Sequence, residues 1–201
     1  MQKIFLIIIS VTCILFFNGN VHAQLVKVGA GGGLTNVVGP DGYTNSISDD
    51  GLGFSSGYNL GVIAKLGLPL IPITPRGIFL YNNFSNEEGG VEFSQSISSL
   101  GLGLQYGFIP IPAGIDPYLF LDLMYNNFGD LTTKTSSEET KDSGVSRFGL
   151  QLGVGTEITI IPLINLDVFA GYNWYNLTGK EDGEDTVSAW VLDLFVMFSF
   201  L

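Results

Sequence analysis

Apolar residues alternate with small or polar ones along SRFGLQLGVGTEITI, residues 146–160. Phe148, Leu150 and Leu152 fall on one side of this alternation, whereas Arg147 and Gln151 fall on the other. Successive side chains of a β-strand point to opposite faces, so a period of two predicts a strand and not a helix. The chain must therefore place strands with one apolar face against either a protein core or lipid.

The same period recurs in most of eight segments separated by turn-rich sequence. The segments span approximately 25–38, 54–68, 76–84, 93–108, 117–129, 145–160, 164–177 and 187–201. Their connections alternate between short, apolar, proline-bearing turns such as IPIPAGIDP and long acidic loops such as DLTTKTSSEETKDSG. The motif YNNF at 81–84 returns at 125–128, in each case shortly before an acidic loop. This order predicts consecutive antiparallel hairpins with two distinct ends.

The N-terminus has the features of a secretory signal peptide. Lys3 precedes an apolar run over residues 4–17, and Val21-His22-Ala23 matches a small-residue cleavage site. We expect cleavage after Ala23, leaving one β-barrel domain over 24–201. A lipoprotein signal ending at Cys13 is the weaker alternative, because the apolar run continues beyond it.

Removal of residues 1–23 takes away the only cysteine, Cys13, and the only histidine, His22. The mature chain then has no thiolate or imidazole for nucleophilic catalysis or metal binding. We therefore expect no enzyme, no catalytic residue, no cofactor and no metal site. Barrel enzymes such as lipid A deacylases, outer-membrane phospholipases and omptin-type proteases use histidine, so we do not expect this chain to be one of them.

The charge balance excludes another class of partner. The chain has 19 acidic and 8 basic residues, and loss of Lys3 leaves seven basic ones. A surface with this acidic excess repels phosphate backbones, so nucleic acid is not an expected partner.

The glycine run VKVGAGGGLTNVVG at 26–39 raises the question of a nucleotide-binding turn. Gly29 and Gly31 fit the G-x-G-x-x-G pattern, but its third glycine is replaced by Leu34, and no helical period follows. We instead expect the run to face the interior of the first strand, where absent side chains leave room for long neighbouring residues.

Two closed architectures fit eight antiparallel strands. A transmembrane β-barrel turns its apolar face to lipid, and a periplasmic lipocalin-like lipid-binding barrel turns it inward around a ligand. The second face here consists mainly of Gly, Ser, Asn and Gln with single charges. Such small residues suit a narrow lumen better than a solvated exterior, so the all-β, eight-stranded, up-and-down transmembrane barrel is favoured.

In its signal sequence, strand number and loop asymmetry the mature chain resembles small outer-membrane β-barrel proteins of the OmpA and OmpX type, with a porin-family-like pattern. The resemblance implies an outer-membrane location in a Gram-negative-type envelope. It also implies a lipid bilayer with its surface glycolipid and the barrel-assembly machinery as partners. The terminal Leu201 departs from the aromatic residue with which such chains often end.

Charged residues on the second face are the candidate site, a lumen charge network. They are Lys27, Lys65, Asp122, Arg147, Glu157, Asp167 and Asp193. A hairpin symmetric about Pro162 places Glu157 opposite Asp167, and one centred on Lys180 places Asp167 opposite Asp193.

A turn centred near Glu139 brings Asp122 into the same row as Glu157 and Asp167. The two lysines are mirror-related about Ser46. We therefore expect an acidic arc on the fifth to eighth segments facing two lysines on the first two.

A paired-carboxylate or cation-binding gate is one interpretation of the arc, and a structural plug of paired charges is the favoured one. The corresponding functions are a structural or surface-interaction protein with a filled lumen and acidic extracellular loops, and, as the alternative, a narrow cation-preferring small-solute channel. The loops have an unidentified extracellular ligand as a further possible partner. Their carboxylates also suit divalent cations such as calcium, but their spacing does not match an EF-hand.

Overall fold

The computed structural model describes residues 25–49, 51–68, 71–108 and 114–200. The expected signal peptide and Leu201 lie outside the described residues. The described residues form ten β-strands: β1 Leu25–Gly39, β2 Ser56–Gly67, β3 Ile73–Glu88, β4 Val91–Gly107, β5 Ile115–Phe128, β6 Leu131–Lys134, β7 Glu139–Asp142, β8 Ser146–Ile161, β9 Ile164–Thr178 and β10 Ser188–Phe200. Between β1 and β2 lie a short helix, α1 (Asp41–Thr44), and a 3₁₀ turn (Ile47–Asp49). No helix among these residues is long and apolar enough to cross a membrane.

Eight of the strands close into an antiparallel barrel. Each of β1 to β4 pairs with the next strand, β5 pairs with β8, β8 pairs with β9, and β9 pairs with β10. The pairing of β1 with β10, from Val26 opposite Phe200 to Gly39 opposite Ser188, completes the ring. Closure leaves no unpaired strand edge in the wall.

The predicted eight segments are confirmed, and the largest difference is at the third, where the observed β3 extends beyond the prediction at both ends. The sequence did not predict β6 and β7, which form a hairpin inside the acidic loop and extend the sheet beside the upper part of β4. Both strands are short and polar, so neither has an apolar alternation to detect. Strands β3 and β4 also continue beyond the wall to Glu88 and Val91.

The two barrel ends differ as the connections predicted. One end, the short-turn end, has the β2–β3, β4–β5 and β8–β9 connections. The other, the long-loop end, has residues 40–55, the β3–β4 hairpin, residues 129–145 and residues 179–187. Both Leu25 and Phe200 belong to the short-turn end.

Apolar side chains cover the outside of the wall. Leu102, Leu123 and Leu34 are 68%, 69% and 67% exposed, respectively. Near the long-loop end Tyr172 packs edge-on against Trp174 and Trp190, with ring centroids 4.6 and 4.8 Å apart. The alternation therefore directs its apolar face outward, which contradicts the lipocalin-like alternative.

The interior is less polar than the sequence predicted, because two apolar clusters fill part of it. The central cluster consists of Ile63, Ile78, Leu80, Tyr118, Phe120, Met124, Phe169, Phe195 and Met197. The mouth cluster, at the long-loop end, consists of Val37, Phe54, Phe84, Ile97, Phe128, Tyr175, Val187 and Ala189. Aromatic rings interlock within both, as in the edge-on contact of Phe120 with Phe169 at 5.3 Å.

The glycine run lies in β1, as expected, and packs closely on β10. A Cβ atom at Gly31 would collide with the backbone of Leu194 and Phe195, and one at Gly33 would meet Leu192 and Asp193. Absent side chains therefore permit the close approach of the first and last strands.

Candidate functional site

A buried ion cluster crosses the lumen on the short-turn side. The Lys65 ammonium lies 2.9 Å from Glu157 Oε1 and 2.7 Å from Asp167 Oδ2. Lys27 approaches the second oxygen of Glu157 at 2.5 Å. The Tyr118 hydroxyl donates to Asp167 Oδ1, and the Lys65 ammonium lies 4.5 Å from the centre of the Tyr118 ring. One cation thus serves two carboxylates, so the charges of this group neutralise one another.

The sequence predicted the strand pairings of the four charged residues in this cluster. Lys27 pairs with Lys65 between β1 and β2, and Glu157 pairs with Asp167 between β8 and β9. Both pairings are confirmed. The two lysines face the two carboxylates across the barrel, since their contacts join β1 and β2 to β8 and β9.

The register predicted for the other two acids is wrong. Asp167 lies opposite Phe195, and Asp193 lies opposite Phe169, because the β9–β10 hairpin is centred one residue later than Lys180. Asp122 pairs with Gln151, since the inserted β6–β7 hairpin shifts the symmetry point of the β5–β8 connection. The acidic arc is therefore staggered along the lumen and does not form one row.

Arg76, at the start of β3, is a lumen charge that the sequence interpretation missed. Its Nε lies 3.2 Å from Asp122 Oδ1, and its guanidinium lies 4.2 Å from the centre of the Phe120 ring and 5.1 Å from that of Phe169. Both members of the pair are buried. The inward face of β3 is mainly apolar, with Ile78, Leu80 and Phe84, so polarity did not identify it. Asn82, which is buried, lies six residues after Arg76, and residues an even number apart share one face of a strand. This spacing was the available sign that Arg76 faces the lumen.

Asp193 forms no ion pair with a described residue and lies beside buried amide side chains. Asn59 donates to its carboxylate at 2.7 Å and also to Thr35, at 3.3 Å. Asn82 then accepts a hydrogen bond from Thr35 at 3.2 Å. Among the described residues, the side-chain donor to this acid is therefore the neutral amide of Asn59.

Arg147 does not join the other predicted site residues. It lies at the long-loop end, where its guanidinium donates to both carboxylate oxygens of Glu184, at 2.7 Å for the shortest contact. Asn176 also donates to Glu184, at 2.7 Å. The hydrogen bonds from Arg147 hold the pKa of Glu184 at about 2, below its ordinary value of 4.5. Arg147 thus fastens residues 179–187 over the barrel end.

A cavity of about 440 Å³ opens at the same end, above the mouth cluster. Its apolar floor includes Phe128 and Val187, with Leu52, Tyr43 and Leu131 packed beside them. Burial raises the pKa of the Tyr43 phenol to about 12, and the hydroxyl donates to Gln95 at 3.2 Å.

Acidic residues dominate the rim of this cavity. They are Asp142, Glu181, Glu184 and Asp185, with Arg147 as the basic residue among them. In the part of the chain that the structure describes, no three Asp, Glu, His or Cys side chains converge closely enough to hold a metal ion.

No protein-family model matches the sequence, and no curated protein matches it. Solved structures do match the fold. A major outer membrane protein from Thermus thermophilus has a TM-score of 0.61 and 16% identity, covering 89% of this chain and all of its own. Neisserial surface protein A has a TM-score of 0.55 and 18% identity, covering 88% of this chain and 96% of its own.

Ail, the attachment invasion locus protein of Yersinia pestis, matches in complex with the heparin analogue sucrose octasulfate. Its TM-score is 0.55 and its identity 14%, over 88% of this chain and all of its own. The closed ring of eight strands, the apolar outer face and these neighbours lead to one conclusion: the chain has the fold of small eight-stranded outer-membrane β-barrels.

Proposed function

We propose that the protein is an outer-membrane barrel with a structural or surface-interaction role, inserted with its long-loop end outward. The observation that carries the proposal is the apolar band around a closed wall, since such a surface is stable only where lipid covers it. Small outer-membrane barrels place short turns in the periplasm and long loops outside, which sets the orientation. Export of the mature domain 24–201 after signal cleavage, and insertion by the barrel-assembly machinery, belong to the same proposal.

A closed lumen is the second part of the proposal. An eight-stranded barrel is just wide enough for side chains to fill its interior. Here the ion cluster around Lys65, the Arg76–Asp122 pair and the central cluster fill that interior together and contact one another through the central aromatic rings. We therefore assign the lumen charges Lys27, Lys65, Arg76, Asp122, Glu157, Asp167 and Asp193 to holding the wall together rather than to conduction or catalysis.

The long-loop end is the surface through which the protein would meet its surroundings. Residues 40–55, 85–92, 129–145 and 179–187 contain fourteen acidic residues and three basic ones. Sucrose octasulfate, the ligand in the Ail complex, is a polyanion. A surface this acidic would repel such a ligand, so we do not extend that binding to this chain.

Membrane insertion is tested by comparing boiled and unboiled samples of the outer-membrane fraction on SDS gels. We expect a heat-dependent change in mobility, because a closed barrel resists SDS until it is heated. A protein found in the soluble periplasmic fraction without that change would contradict the proposal.

Planar-bilayer conductance separates the closed barrel from the narrow cation-preferring channel. The closed barrel predicts no stable open-pore current from the purified protein. A cation-selective current that disappears in Asp167→Ala would favour the channel, because that carboxylate lies at the centre of the ion cluster. The matched control is Asp182→Asn, an acidic loop residue exposed to solvent.

A further inference from the structure

The cavity at the long-loop end combines two features that select a ligand by chemistry. Its volume of about 440 Å³ lies within the range of about 300–1,000 Å³ typical of small-molecule sites. Its floor includes Phe128 and Val187, buried residues at the top of the mouth cluster, and Tyr43, Leu52 and Leu131 add partly buried apolar surface. This floor favours a compact apolar group.

The rim of the cavity favours a positive charge. Arg147 is already neutralised by its hydrogen bonds to Glu184, and Glu181 approaches the same guanidinium at 3.7 Å. Asp142 and Asp185 are exposed, and neither carboxylate has an ion-pair partner within the described ranges. The cavity therefore has uncompensated negative charge on two neighbouring loops, residues 129–145 and 179–187.

The aromatic residues of the cavity favour an apolar body on the ligand. Tyr43 and Phe128 both line it and add aromatic surface to the floor. An anion would meet the rim carboxylates, and a neutral apolar molecule would leave them without a partner.

From this geometry we infer that the cavity binds a small organic cation with a compact apolar body, with the body on the mouth cluster and the ammonium between Asp142 and Asp185. The inference rests on the proposed surface role, because the cavity must face the exterior to meet such a ligand. It assigns a ligand class to that surface.

The test uses the mature chain in detergent micelles and 2-phenylethylammonium as the probe, with binding followed by amide NMR shifts. We expect saturable shifts at residues around the cavity, such as Tyr43, Val145 and Val187. Ethylammonium, which has the charge without the ring, should bind at least about tenfold more weakly. The anion 3-phenylpropionate should cause no saturable shift at these amides.

Charge variants identify the rim residues. The double variant Asp142→Asn and Asp185→Asn should weaken binding of 2-phenylethylammonium by about fivefold at low salt, as expected for the loss of two partly exposed charge pairs. The matched control, Glu138→Gln with Asp182→Asn, removes the same charge from the same two loops, at positions that do not line the cavity. It should change affinity by less than about twofold.

Equal binding of 3-phenylpropionate, an absence of shifts at the cavity, or equal effects of the two double variants would overturn the inference. Heat-dependent gel mobility of the same samples separates this failure from failure of the proposed function. A retained mobility change without binding overturns the ligand assignment alone. Loss of the mobility change overturns both.

Discussion

Replacement of Lys65 by methionine is the sharpest test of the ion cluster. The substitution keeps a long apolar side chain but removes the cation that contacts Glu157 and Asp167 at 2.9 and 2.7 Å. Glu157 retains its contact with Lys27. Asp167 retains only the hydroxyl of Tyr118 among its described side-chain partners, so a carboxylate is left buried without a cation.

Breaking a buried ion pair by removing one partner costs about 3–5 kcal/mol, because the remaining charge stays desolvated. Lys65 and Asp167 side chains are both fully buried, so the upper part of that range applies to Lys65→Met. The double variant Lys65→Met with Asp167→Asn removes the stranded charge while Glu157 keeps Lys27. We expect it to recover most of the lost stability.

The assay is urea unfolding of the barrel in lipid vesicles, with the heat-dependent gel band as the measure of the folded fraction. Lys141→Met is the control, since Lys141 forms an exposed pair with Glu139 and such pairs contribute about 0–1 kcal/mol. A loss below about 1 kcal/mol for Lys65→Met would refute the reasoning, because a buried pair should cost several times more. So would a double variant no more stable than the single one.

Three further predictions concern the wall and the loops. Leu152→Arg, at mid-strand on the outer face, should lower the free energy of unfolding by about 2–4 kcal/mol in vesicles. Ile160→Arg, near the short-turn end, should lower it by about 0–1 kcal/mol, because the cost of a charge facing lipid falls toward the membrane surface. Similar losses for the two variants would contradict this dependence on depth. Arg147→Met should release residues 179–187 and speed their cleavage in limited proteolysis, with an unchanged cleavage rate as the contrary result. Protection of the same loop from amide hydrogen exchange should be full above about pH 4.5 and lost as the pH falls toward 2, because the pKa of Glu184 is lowered on folding; a loss on the alkaline side would disprove this.

The fold was largely predictable because the wall obeys a single rule. Each wall strand turns one face to the outside, so the two-residue period survived in the sequence wherever the inner face was small or polar. The period was weakest on β3, whose inner face has Ile78 and Leu80, and there the predicted segment was too short. No residue of β6 or β7 is fully buried, so burial left no alternation to detect there.

The candidate site was predictable only where hairpin symmetry held. Short turns gave the correct partners for Glu157 and Asp167, since few residues separate β8 from β9. The length of a long loop does not fix the register of the two strands that it joins. The strand partners of Asp122 and Asp193 therefore depended on loop structure that could not be deduced from the sequence. Arg147 lies on the inward-facing side of the β8 alternation, as a lumen residue does. Its position at the start of β8 nevertheless places it among the loops, and the alternation alone does not show how far along the barrel a residue lies.

The glycines of β1 also bear on the order of assembly. Lys27 pairs with Ser199 across the seam between the first and last strands, and this seam joins the most distant segments of the chain among the wall pairings. Contacts between remote segments have the highest chain-closure entropy and form slowly. A seam lined by Gly29, Gly31 and Gly33 has few side chains to rearrange when β10 arrives. At these positions the β1 side of the seam has no side chain, which leaves room for Phe195 and Met197 of β10.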